Sequence, residues 1–230
     1  MVKSVLITGA GRGIGLEFVR QYIDDGWRVH ACCRQPGKAD ALKAVLIGRN
    51  GLVHGLDVTD AGSIQDLAQA IEDEPIDVLI NNAGIMPDDR KADGSIDYEA
   101  WECALHTNVI APFRVAEGLV DRVDAGDMRI IANISSLMGS IGDNRSGGDH
   151  IYRTSKTALN MVTVNLAEDL RARGITVLAF HPGWVRTDMG GPNAAVAPED
   201  SVRGMREQIA AAGPDQSGGF TNYDGTPLAW

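Results

Sequence analysis

"SVLITGAGRGIG", residues 4–15, is an apolar run of strand length that breaks into glycines and then passes into the amphipathic stretch "LEFVRQYID". A continuous apolar run without alternation fits a strand covered on both faces, and the 3.6-residue periodicity that follows fits a helix. The stretch therefore predicts a strand–turn–helix unit with a glycine-rich loop at the carboxyl end of the strand. In that setting Gly9 supplies the sharp turn, Gly13 lets a pyrophosphate approach the backbone, and Gly15 lets helix and strand pack closely. N–H groups at the start of the helix then face the phosphate charge.

The pattern repeats along the chain. Strand-like runs fall at about 4–8, 28–33, 52–56, 77–81, 129–135 and 176–181, with helix-like stretches at about 13–24, 38–47, 61–72, 98–122, 151–172 and 199–212. Alternation of this kind builds successive βαβ units. The expectation is an α/β Rossmann fold, a doubly wound parallel sheet with helices on both faces, formed as a single domain over residues 1–230. No repeat or linker-like segment divides the chain. Three loops stand out: 139–149, 182–198 and the final "SGGFTNYDGTPLAW". Ligands bind beyond the carboxyl ends of the strands in such sheets, which directs attention to the loops after strands.

A net charge of −10 argues against a nucleic-acid partner, which would require Lys and Arg in excess along a face. Cys32, Cys33 and Cys103 have neither metal-site nor disulfide spacing and read as reduced thiols; no metal is expected. No segment is apolar enough to span a bilayer, so the expectation is a cytoplasmic protein without a membrane partner.

The second strand ends "ACCRQ". An acidic residue there would bind the ribose 2′-hydroxyl of NAD, whereas an Arg accommodates the 2′-phosphate of NADP. Arg34 occupies this end and Arg12 lies in the glycine loop, so NADP(H) is favoured.

Tyr152 and Lys156 are four residues apart in a helical stretch, which places both on one face. A free phenol has a pKa near 10 and donates or accepts protons poorly at neutral pH. An ammonium about 5 Å away, at an effective dielectric near 20, is worth roughly 3 kcal/mol, or about two pKa units. The spacing thus predicts that Lys156 tunes Tyr152 toward working pH. In the stretch 98–122, Pro112 has no N–H for the carbonyl of Asn108, which predicts a local kink and a place for a water.

Taken in order, "TGAGRGIG", Asp57-Val58, "NNAG" (81–84), Asn108, "NISS" (133–136), Tyr152-x-x-x-Lys156 and "HPGWVRTDM" (181–189) resemble the short-chain dehydrogenase/reductases over nearly the whole chain. "YRTSK" with the final "GGFTNYDGTPLAW" is similar to the branch of C-factor-like and Sniffer-like carbonyl reductases. The resemblance implies a cofactor held by Gly9, Arg12, Gly13, Ile14 and Gly15, with Arg34 at the adenosine end. Asp57 and Val58 would meet the adenine, Asn81, Ala83 and Gly84 the ribose side, and Pro182, Gly183, Val185 and Thr187 the nicotinamide half. Tyr152 and Lys156 would also touch the cofactor.

It further implies hydride transfer to a carbonyl, with Tyr152 giving the proton, a Ser hydroxyl donating to the same oxygen and Asn108 holding a relay water. Ser136 is the chosen Ser and Ser140 its rival, because fifteen residues separate Ser136 from Tyr152, more than the family's pattern has. Met86, Leu137, Met138, Trp184 and Met189 are the candidate substrate pocket, suited to apolar aldehydes, ketones or quinones. A non-enzymatic NADP-binding regulator and an alcohol-oxidising dehydrogenase are the alternatives. A homo-oligomer, dimer or tetramer, is possible through the stretches 98–122 and 151–172.

Overall fold

The computed structural model describes residues 2–230. Seven parallel strands form one sheet: β1 Ser4–Thr8, β2 Arg28–Cys33, β3 Gly51–Gly55, β4 Val78–Asn81, β5 Ile130–Ile134, β6 Thr176–His181 and β7 Phe220–Asn222. Their spatial order is β3-β2-β1-β4-β5-β6-β7, a doubly wound sheet whose direction of winding reverses between β1 and β4. Seven α-helices connect them: α1 Gly13–Asp24, α2 Asp40–Leu46, α3 Ala61–Ile71, α4 Tyr98–Leu105, α5 Ala111–Asp124, α6 His150–Asp169 and α7 Pro198–Ala211.

The apolar strands divide their side chains between two cores, because alternate residues of a strand point to opposite faces. Val5, Ile7, Val78, Ile80 and Phe180 pack with Phe18, Leu42 and Met205 on the face covered by α1, α2 and α7. Leu6, Leu79, Ile131 and Val177 pack with Leu67, Leu119 and Leu166 on the face covered by α3, α5 and α6. Burial on both faces is why these strands read as unbroken apolar runs. Among the described residues no helix is long and apolar enough to cross a membrane.

Two elements depart from the sequence reading. The final loop contains β7, which extends the sheet by pairing Phe220 with Ala179 and Asn222 with His181. Only three residues long, it carries too little periodicity to be read in advance; burial of Phe220 on the sheet fixes it. The long helix at 98–122 is instead two helices joined by a π turn over His106–Ile110. There the Ala111 N–H reaches back five residues to the His106 carbonyl. The turn falls just before Pro112, so the chain answers the missing N–H with an inserted residue.

Candidate active site

The reversal between β1 and β4 opens a crevice, and two side chains tie its walls. Thr8 Oγ1 accepts the N–H groups of Asn82 (3.0 Å) and Ala83 (3.1 Å), while Asn82 Nδ2 donates to the carbonyls of Thr8 (2.9 Å) and Gly9 (3.3 Å). The glycine loop and the "NNAG" turn are thereby locked together at the head of a cleft of about 1500 Å³. A side chain at residue 15 would fill its floor, since a Cβ there would lie 2.3 Å from the Gly9 carbonyl oxygen and 2.6 Å from Asn82 Nδ2.

Gly9, Arg12, Gly13, Ile14 and Gly15 line one end of the cleft, with Arg34, Asp57 and Val58 beside them. Arg34 is exposed and makes no ion pair among the described residues. Arg12 is exposed and paired with Asp188 across the mouth at 3.0 Å, a contact of small energy at such exposure. Asp57 Oδ1 accepts from the Thr59 N–H (2.9 Å) and hydroxyl (2.7 Å), bonds that hold its carboxyl below the usual carboxylate range. Lys38, Asp188 and Asn82 also line the cleft. Sequence reasoning passed over all three, although Asn82 is the second Asn of "NNAG".

Ala83, Gly84, Tyr152 and Lys156 also line the cleft, as do Pro182 and Thr187, whose methyl lies 3.4 Å from where a Cβ at Gly13 would stand. Tyr152 and Lys156 do share a face of α6, the ammonium standing 5.7 Å from the centre of the phenol ring. Lys156 is buried and Nζ donates to the Ile134 carbonyl at 2.8 Å. Burial pushes Lys156 down to about 8 and pushes Tyr152 up to about 12, while the Ser136 hydroxyl pulls the phenol the other way. Burial is thus the largest influence on both groups.

Ser136, at the end of β5, accepts the Met138 N–H at 3.2 Å and starts a short 3₁₀ turn, Leu137–Gly139. Ser136 stays beside the phenol despite the long loop that follows, although it is the neighbouring Ser135 that lines the cleft itself. Ser140 instead accepts the Asp143 N–H and lies along a second cavity, and Ser135 donates to Asn160 Oδ1. Asn108, fully buried, spends its whole amide: Nδ2 donates to the Ile85 carbonyl (2.8 Å) and to Ser155 Oγ (2.9 Å), and Oδ1 accepts the Ile85 N–H (2.8 Å). Its side chain clamps the segment after β4 to α6, so the relay water expected at Asn108 would rest on the main-chain carbonyl that Pro112 leaves without an N–H.

Other expected residues lie off the cleft. Asn81 is buried behind it, with Nδ2 donating to Asn133 Oδ1 and to the Pro112 carbonyl. The side chains of strands alternate, so Asn81 turns into the helix layer and the next residue takes the cleft. Val185 is buried, and Gly183 packs on Val196 and Tyr223. Of the five candidate substrate contacts, only Met189 borders the cleft; Met86 and Trp184 are largely exposed, Leu137 is half-buried, and Met138 borders the second cavity.

The family described as short chain dehydrogenase matches residues 3–196. The chain belongs to that family. Within it, this short chain dehydrogenase is 42% identical to the C-signal of Myxococcus xanthus over 156 residues, 68% of this chain and 93% of the relative. Its fold is similar to the carbonyl reductase Sniffer of D. melanogaster (TM-score 0.92, 32% identity, all of both chains). It is also similar to an NADPH-bound carbonyl reductase from chicken fatty liver (TM-score 0.91, 34% identity, all of this chain and 94% of that one). These neighbours place it in the C-factor-like and Sniffer-like carbonyl reductase branch.

Proposed function

We propose that this short chain dehydrogenase is an NADPH-dependent reductase of aldehydes, ketones or quinones, with Tyr152 as proton donor. The observation that carries the reading is that Tyr152 and Lys156 line a cleft together with a glycine loop and Arg34, with the Ser136 hydroxyl set behind the wall against the Tyr152 phenol. The residues suit the cofactor: the floor at Gly15 admits no side chain, and no carboxylate stands at the end of β2 to repel a 2′-phosphate. Arg34 and Lys38 supply positive charge there, and helix α1 starts at the loop. The NADPH in the chicken carbonyl reductase supports the same assignment. Bound NADPH supplies the hydride.

The chain's own groups handle the proton. Burial holds the Tyr152 phenol protonated at neutral pH, so the proton is in place, and the neighbouring Ser136 hydroxyl and Lys156 ammonium are placed to stabilise the phenolate that its transfer leaves. Ser136 Oγ accepts the Met138 N–H, and its own hydrogen, beside the Tyr152 hydroxyl, is placed to donate to the same substrate oxygen. Lys156 commits one hydrogen to Ile134 and has two more for cofactor hydroxyls. Asn108 acts by fixing Ile85 and Ser155 on either side of the site. A non-enzymatic cofactor-binding role requires none of these groups to converge.

The test is loss of NADPH absorbance with a panel of apolar aldehydes, ketones and quinones, beside NADH and beside Tyr152→Phe. Turnover with NADPH that falls at least about 100-fold in Tyr152→Phe is expected, as for loss of a general acid. No turnover with any member of the panel would support the regulator, and turnover surviving the Phe substitution would remove Tyr152 from its role.

A further inference from the structure

Helix α6 begins without a cap of its own. The first N–H groups of a helix lack intrahelical acceptors, and the residue before the helix ordinarily offers them a side-chain oxygen. Asp149 holds that position but is left-handed, with φ 45°, and its side chain caps nothing. Gly147 and Gly148 before it also have positive φ, so the chain enters α6 through three left-handed residues in succession.

The missing acceptor comes from the segment between β4 and α4. Asp89 Oδ2 accepts the His150 N–H at 2.6 Å and Oδ1 the Ile151 N–H at 3.0 Å. Tyr152 is the next residue. The main-chain carbonyl of Asp89 in turn accepts the Asp97 N–H (2.9 Å), and Asp97 caps α4 through the Ala100 N–H (3.0 Å). Asn108 joins Ile85 of the same segment to Ser155, so the segment grips α6 on both sides of Tyr152.

We propose that Asp89 is a positioning residue, which sets the place of the Tyr152 hydroxyl by holding the first turn of α6 and so couples the segment after β4 to proton donation. The inference rests on the reading of Tyr152 as proton donor. Charge-assisted bonds from two successive N–H groups are stronger than neutral ones, and a carboxylate there complements the helix dipole. The glycine-rich lead-in has no substitute for them. A displacement of about 1 Å in a catalytic group can cost about 100-fold in rate.

The experiment compares Asp89→Ala, Asp89→Asn and, as a control, the exposed neighbour Asp88→Ala. The readouts are steady-state kinetics, NADPH binding by fluorescence, and hydrogen exchange of the peptide spanning residues 147–153. Asp89→Ala should exchange faster at the start of α6 and lose about 10- to 100-fold in kcat, with NADPH affinity changed less than about twofold. Asp89→Asn, which keeps one acceptor oxygen, should recover part of kcat and carries the test if the Ala variant does not fold. Asp88→Ala should match the parent protein. Unchanged exchange, or faster exchange with kcat intact, overturns the proposal; so do equal losses of kcat and cofactor affinity, the mark of a merely structural role. Tyr152→Phe run alongside separates the two claims. Turnover surviving it removes the proton-donor reading and this proposal with it, whereas turnover lost there but intact in Asp89→Ala removes the role of Asp89 alone.

Discussion

Replacing Lys156 by Met should abolish turnover and yet raise the melting temperature of the free protein. Lys156 lies buried in α6 with one hydrogen bond, to the Ile134 carbonyl, and burial brings its pKa from 10.5 to about 8. At about 1.36 kcal/mol per pKa unit, keeping the ammonium there at neutral pH costs on the order of 3 kcal/mol. Met retains the length and the apolar stem without the charge, and losing the bond to Ile134 takes back about 1 kcal/mol. A net gain of about 2 kcal/mol corresponds to about 4–8 °C for a chain of this size. The sign follows from linkage. Folding lowers the pKa, so the penalty is complete below about 8 and disappears as pH rises toward 10.5, where the unfolded lysine also becomes neutral. Calorimetry of both proteins at pH 7 and pH 10 should therefore show a clear advantage for Lys156→Met at pH 7 that shrinks nearly to zero at pH 10. A variant less stable at pH 7, or an advantage independent of pH, would refute the claim that desolvation dominates this site.

Two further outcomes are expected. Gly15→Ala should weaken NADPH binding at least about tenfold and cost about 1–3 kcal/mol, because its Cβ would lie 2.3 Å from the Gly9 carbonyl oxygen; Gly11→Ala, whose Cβ would only touch Cys33 at 3.6 Å, should fold with its stability unchanged. Cofactor titration and thermal melts of the two variants check this, and equal behaviour would sink it. Acid should destabilise the fold before the carboxylates titrate. Burial pushes His30 and His181 down to about 4, with His54 adding to the effect on His30 and Glu74 opposing it. The unfolded chain takes up protons near 6.5, so each imidazole should remove about 2 kcal/mol of stability as pH falls from 7 to 5. Urea melts that coincide at the two pH values would contradict it.

The order of strands and helices was legible because the inner strands are apolar runs buried on both faces and the longer helices show their own period. Glycine loop, "NNAG" and Tyr152-x-x-x-Lys156 were equally legible, since each is a local pattern with a local mechanical reason. What lay between elements was not. A single residue of register decides whether Asn81 or Asn82 faces the cleft, and only strand pairing fixes that register. Three residues of β7 carry no period, so its place depends on the edge of β6 being there to receive it.

By itself the sequence determined which chemical groups are present and that Tyr152 and Lys156 share a helical face. Tertiary structure decided what those groups are. Water is excluded from both side chains by strands and helices distant in sequence, and this desolvation, which raises the phenol and lowers the ammonium, is not written in their spacing. In the same way the cap on α6 comes from Asp89, 61 residues before His150, where no local pattern could announce it. Local geometry is written in neighbouring residues, whereas desolvation and long-range hydrogen bonding exist only once the chain has closed around them.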